Sequence, residues 1–201
     1  MTGSLSCVGG WKKPCALMAA SVNGRCQNPP VTPRHRSTVV TVAVVQTRYV
    51  VRGWGVGELW SDDGVVLAHD FRFRPVPDTL SARGSDTVTK RLIRRFHTLL
   101  EGADVSFEDV AIDLEWATPL QRALADALRA IPRGEVVSYG ELAALAGRPR
   151  AARAAGAFCA ANRFAFIVPC HRVVSATGIG GYGDAGVDVK RRLLALEGVV
   201  L

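Results

Sequence analysis

The sequence predicts an α+β fold: a small amino-terminal β-rich α/β domain followed by a mostly helical domain carrying a winged helix-turn-helix. Three observations predict it. Residues 38–71 alternate short β-rich runs with turn residues and are followed by one amphipathic helix. Thr118 and Ser138 each open a capping box ahead of an apolar-periodic run. Gly147 separates a short helix from an alanine-rich, basic one, which is a helix-turn-helix pattern.

Strands are expected over Val39–Val45, from Tyr49–Val51 through Trp60, and over Val65–Ala68. Ser61-Asp62-Asp63-Gly64 reads as the hairpin turn between the last two. Residues 72–85 hold Pro75, Pro77 and Gly84 and read as a loop. A helix follows over Asp86–Leu100. Val88, Leu92, Ile93, Phe96, Leu99 and Leu100 form its apolar stripe, and Gly102 is its stop. Thr118-Pro119-Leu120-Gln121 starts the next helix, with Leu120, Leu124, Leu128 and Ile131 on one face. Ser138-Tyr139-Gly140-Glu141 starts a short one that Gly147 closes, and a third runs from beyond Pro149 to about Asn162. A last helix is expected over Val187–Glu197.

Composition bounds the function. The net charge is +7, and no apolar run approaches a membrane span, so a soluble cytoplasmic protein is expected. Residues 1–37 carry Lys12, Lys13, Arg25, Arg34 and Arg36 with no acid and no apolar signal core. They read as a basic disordered extension. Residues 38–112 then form the first domain and 113–201 the second. Cys7, Cys15, Cys26, Cys159 and Cys170 are odd in number and irregular in spacing, which fits reduced thiols rather than a disulfide framework. Cys7, Cys15 and Cys26 with His35 lack zinc-site spacing, so no metal is assigned. Arg148, Arg150, Arg153, Arg163 and Arg172 lie between Leu142 and Gly183 without one acid, which suggests a positive face for a polyanion.

Pro169-Cys170-His171-Arg172-Val173 sits in an apolar run, as a strand or buried turn would. A thiol beside an imidazole can be activated, because the thiolate is the reactive form of cysteine. His69 and His97 stand isolated and read as structural. Gly178-Ile179-Gly180-Gly181-Tyr182-Gly183 has the spacing of a dinucleotide-binding turn, but no following strand or acid has room to complete it. It reads instead as a loop that wraps a ligand near Cys170.

Several ordered motifs between Thr118 and Gly198 resemble the O6-alkylguanine-DNA alkyltransferase family (methylated-DNA–protein-cysteine methyltransferases). They are Thr118-Pro119-Leu120-Gln121, Ile131-Pro132-Arg133-Gly134, Ser138-Tyr139, Leu142 to Gly147, Ala151-Ala152-Arg153-Ala154, Asn162, and Pro169 to Val173. The resemblance implies an RNase-H-like amino-terminal domain and a single-turnover repair protein. Its partner would be double-stranded DNA bearing O6-alkylguanine, with O4-alkylthymine a further candidate substrate. It would act as a monomer through the minor groove, with no cofactor and no membrane. Cys170 would accept the alkyl group. His171 would take its proton through a water, Glu197 would orient His171, and Asn162 would brace the turn. Tyr139 would help rotate the target nucleotide and Arg153 would fill the space it leaves. Ala152, Ala154 and Gly156 would let the helix approach DNA. The carbonyls of Cys170 and Val173 would read the guanine edge, with Tyr182 and Lys190 at the same site.

The chain departs from the family at Arg163 and Ala165, where prolines are common, which predicts a looser turn. Ala125 replaces a common aromatic, and Asp184 a small hydroxyl residue. The competing expectations are a non-catalytic alkylguanine-lesion-binding protein, a winged-helix transcription regulator, and a cysteine hydrolase.

Overall fold

The computed structural model describes residues 44–74 and 87–201. Expectations for residues 1–43 and 75–86 lie outside the described residues. These include the extension, Cys7, Cys15, Cys26 and His35, most of the Val39–Val45 strand and most of the loop.

Strands β1 (Val45–Val51), β2 (Gly55–Asp62) and β3 (Val65–Phe73) form an antiparallel meander in that order. The run expected from Tyr49 through Trp60 is therefore two strands. The chain reverses at Arg52-Gly53-Trp54, where Gly53 has φ of 73° and Trp54 N–H donates to Val51 O at 3.1 Å. The second turn is as expected. Asp63 and Gly64 have φ of 44° and 79°, and paired positive φ values suit the twist of a tight hairpin.

Helix α1 (Thr87–Leu100) buries Thr89, Leu92, Ile93, Phe96, Leu99 and Leu100. Val88, assigned to that stripe, is instead 56% exposed. At roughly 100° per residue it lies about 80° from Phe96, whereas Thr89 falls near the stripe centre. The buried Thr89 hydroxyl meets Ser61 Oγ at 3.1 Å.

The free edge of β3 is covered twice. Val66 pairs with Ile112, and His69 pairs with Phe164 through His69 N–H to Arg163 O (2.7 Å) and Ala165 N–H to His69 O (3.1 Å). Residues of the amino-terminal half (Phe71, Phe96) and the carboxy-terminal half (Leu124, Phe158, Phe166, Leu193) share one core.

Helix α2 (Pro119–Arg129) starts at a complete capping box on Thr118 and Gln121. Strand β4 (Val137–Ser138) leads into helix α3 (Tyr139–Leu145), which opens on the Ser138–Glu141 capping box. Helix α4 (Ala152–Ala160) packs on α3 and buries Ala155 and Phe158. Helix α5 (Val187–Leu196) closes the fold. Strand β5 (Val173–Val174) pairs in parallel with β4, Val137 opposite Val173.

Helices α3 and α5 stop the same way. Gly147 N–H donates to Ala144 O and Arg148 N–H to Ala143 O; Gly198 N–H donates to Ala195 O and Val199 N–H to Leu194 O. Both glycines have positive φ (72° and 85°), which this capping motif requires. Among the described residues no helix is long and apolar enough to cross a membrane.

Candidate active site

The apolar run before Cys170 is buried, and of the two expected forms, strand or buried turn, it takes the second as a series of tight turns. Val168 N–H donates to Phe164 O, and Cys170 N–H to Val168 O at 2.8 Å across Pro169. Pro169 has φ of −79° and ψ of 65°, the geometry of an inverse γ-turn. A single 3-10 turn, Cys170–Arg172, follows. Its three residues per turn send the Cys170 and His171 side chains about 120° apart. The two side chains therefore diverge. Phe166 has φ of 68°, a costly conformation for a bulky residue. Ring contacts hold it, with centroids 5.1 Å from Phe71, 5.6 Å from His69 and 5.8 Å from Phe96.

Asn162 spans this turn. Its Nδ2 donates to Val168 O (2.8 Å) and to Cys170 Sγ (3.2 Å), while its Oδ1 accepts from Phe164 N–H (3.0 Å). Both residues that stand in place of prolines make contacts of their own. Ala165 N–H makes the bond to His69 O that a proline could not, and Ala165 O accepts from His69 Nδ1 at 2.6 Å. The Arg163 guanidinium lies 5.0 Å from the Trp116 ring centre. Ala125 is fully buried in the core.

Cys170 is half-buried. Burial pushes its thiol up; the Asn162 amide, the Lys190 charge and the Tyr182 hydroxyl oppose that shift. The resting sulfur is thus a thiol. His171 is the next residue. The imidazole and the Glu197 carboxylate are each 2% exposed, and His171 Nε2 meets Glu197 Oε1 at 3.0 Å. Burial holds the His171 pKa below its ordinary value despite Glu197, so the ring is neutral, donates from Nε2 and leaves Nδ1 as an acceptor. Nδ1 is buried and has no partner. Glu197 occupies the position just after the last turn of α5, and the Gly198 stop places it there. Burial pushes its carboxyl up, but bonds and charges from His171 and Arg172 outweigh that and hold it at about 2.

Lys190, fully buried, donates from Nζ to Val173 O and to Gly181 O (3.2 Å), tying the glycine loop to the strand after the thiol. The carbonyls assigned to guanine reading already accept one bond each, Cys170 O from Val173 N–H and Val173 O from Lys190. A carbonyl has two lone pairs, so one remains on each. The β4–β5 pairing sets Tyr139 beside this turn. Tyr139 is half-buried, and a Cβ added to Gly156 would lie 3.8 Å from its ring. Ala152 is half-buried, and Arg153 and Ala154 are exposed. Asp184 is exposed and bridges to Tyr182.

Two corrections concern arginines. Arg172 is not on the positive face: its side chain is 11% exposed and binds Glu197 and the carbonyl of Ile131. Arg163 is half-buried over Trp116, leaving Arg148, Arg150 and Arg153 as the exposed cluster. Sequence reasoning also passed over Cys159, whose thiol burial pushes up to about 12 while the Cys170 sulfur adds to the shift. Its three-residue spacing from Asn162 was the available signal. His69 is structural, as expected, and burial lowers it to about 4. The described residues hold no cluster of metal-ligating side chains.

Residues 119–199 match the family model described as 6-O-methylguanine DNA methyltransferase, DNA binding domain. A methylated-DNA–protein-cysteine methyltransferase of Methanothermobacter thermautotrophicus is 36% identical over 147 residues, 73% of this chain and 81% of that protein. One of Salmonella typhimurium is 53% identical over 85 residues, 42% of this chain and 49% of that protein. Among solved structures, Mycobacterium tuberculosis OGT in complex with DNA superposes with a TM-score of 0.61 at 34% identity, covering 76% of this chain and 92% of that one. The O6-methylguanine-DNA methyltransferase of Pyrococcus kodakaraensis gives 0.56 at 27% identity, covering 78% and 98%. With its thiol turn, its buried His–Glu pair and these matches over most of its described length, the chain belongs to the methylated-DNA–protein-cysteine methyltransferase family.

Proposed function

We propose that this protein repairs DNA by direct reversal, moving the alkyl group of O6-alkylguanine onto its own Cys170 once per chain. The observation that carries this is the buried His171 Nδ1, an acceptor without a partner on the residue next to a protonated thiol. A water between them passes the thiol proton to Nδ1. The thiolate attacks the alkyl carbon in line, a carbon–sulfur bond forms and the bond to O6 breaks. Guanine takes the electron pair and regains a proton from the relay. The thioether has no route to release, so the protein is consumed.

The target base must leave the duplex to reach Cys170. Arg153, exposed near the start of α4, fills the gap, and Tyr139 crowds the target phosphate. Ala152, Ala154 and Gly156 keep α4 slim enough for a minor groove, whose degenerate pattern suits lesions in any sequence. The carbonyls of Cys170 and Val173 face the guanine edge, with Tyr182 and Lys190 shaping the pocket. Residues 38–112 act as an RNase-H-like support domain and 113–201 as a winged helix-turn-helix that binds DNA as a monomer, in the cytoplasm.

Incubation with duplex DNA bearing O6-methylguanine tests this. One methyl group is expected on the peptide holding Cys170, with loss of the lesion in equal amount. An unmodified peptide beside unrepaired DNA would refute it.

A further inference from the structure

Glu197 faces two partners. Its Oε1 accepts from His171 Nε2 (3.0 Å) and from Arg172 Nη2 (2.8 Å), and its Oε2 accepts from Arg172 Nε (3.0 Å). The remaining arm of the guanidinium, Nη1, donates to Ile131 O at 2.6 Å, just beyond the end of α2. Three bonds in one plane tie the relay carboxylate to a rigid helix end. A lysine has one point charge and cannot span three acceptors in this way.

We infer that Arg172 is a positioning residue for the proton relay: its grip on Glu197 fixes the Nε2–H tautomer of His171 and keeps the imidazole uncharged until the thiol yields its proton. This rests on the alkyl-transfer reading. A bare buried carboxylate 3.0 Å from an imidazole favours the imidazolium form, which carries a proton on Nδ1 and cannot act as a base. With Arg172 bound, the ring meets a neutral ion pair instead. The other charges facing His171 act in the same direction or lie further off. Lys190 on α5 disfavours an imidazolium, and so does Arg172 itself. On the other side a cavity of about 280 Å³ is bounded by His171, Arg172, Arg129, Arg133, Asp104 and Glu108. Arg129 and Arg133 there are bound to backbone carbonyls.

The test is single-turnover transfer from an O6-methylguanine duplex, followed over about pH 5.5 to 9 for the wild type, Arg172→Lys and Arg172→Met. It is paired with a nitrogen-15 NMR titration of His171 in full-length Cys170→Ser protein. For Arg172→Met the acid limb of the rate profile is expected to move up by about one pH unit or more. The loss then approaches about tenfold only at the acid end of the range, below both midpoints, and is small near pH 9. Arg172→Lys is expected to fall between the two. His171 in Cys170→Ser protein is expected to titrate below its ordinary value of about 6.5. An equal loss at every pH would make Arg172 mere scaffold, and an unchanged Arg172→Met profile would remove its role. A His171 that titrates above its ordinary value with Arg172 in place overturns the inference even if both variants fail to fold. Wild-type protein that transfers no methyl at any pH overturns the alkyl-transfer reading, and this inference with it.

Discussion

Burial raises the Cys170 pKa, and one amide opposes that shift. Asn162 bonds the sulfur, the carbonyl of Val168 and the N–H of Phe164, so it sets both the position of the thiol and part of its acidity. Asn162→Ala is expected to raise the Cys170 pKa further, because it removes a donor to the thiolate. It should also cost about 1–3 kcal/mol of stability through unpaired buried groups. The rate of iodoacetamide alkylation against pH checks the first point; a midpoint that stays put would show that Asn162 does not tune the sulfur. Cys170→Ser should bind lesion DNA yet transfer nothing. Transfer by that variant would move the acceptor elsewhere, and Cys159 is the neighbouring thiol to examine.

At the scale of elements, helix ends place the chemistry. The Ser138 cap starts α3 and with it orients Tyr139. The Gly198 stop ends α5 and sets Glu197 against His171. Gly198→Ala forces a Cβ into positive φ, and a loss of about 1 kcal/mol is expected. Transfer should slow more than that loss explains, because the carboxylate is displaced with the helix end. A transfer rate that follows global stability alone would contradict this. On α4, Arg153→Ala is expected to slow repair of duplex DNA far more than reaction with the free alkylated base, which needs no flipping. Equal effects on the two substrates would remove Arg153 from that role.

For the whole molecule, His69 joins the two halves. It stacks on Phe96 at 4.2 Å, meets the Tyr49 hydroxyl at 2.7 Å and anchors Ala165 three residues beyond Asn162. Burial holds its pKa at about 4 against about 6.5 in an unfolded chain. The unfolded state therefore binds the extra proton first. Stability is full above about pH 6.5 and falls as the pH drops toward 4, by up to about 3 kcal/mol. Glu197, held at about 2, contributes in a lower window: its share is present above its unfolded pKa and is lost as the pH falls toward 2. His69→Gln should flatten the slope between about pH 6.5 and 4 in denaturant titrations. A variant with the same slope as wild type would assign that pH dependence to other groups, His171 first among them.

Local chemistry made much of this protein legible from the chain alone. Capping boxes at Thr118 and Ser138, stops at Gly102 and Gly147, the Asp63-Gly64 turn and the Cys170-His171 pair are set by residues a few positions apart. Their signals survive without a fold. The family resemblance added Asn162 and Glu197, though not the bonds that Asn162 makes to Cys170 and Val168 or that Glu197 makes to Arg172. Tertiary structure decided what depends on burial and long-range approach. It put Thr89 rather than Val88 on the core side of α1, and it turned the apolar run before Cys170 into tight turns. It replaced the missing proline with a bond from Ala165 to His69. It also took Arg172 from the expected positive face and bound it between Glu197 and Ile131. A sequence records that a side chain is charged; whether the charge meets water, DNA or a buried carboxylate is fixed only when distant segments close around it, because desolvation and pairing set its energy.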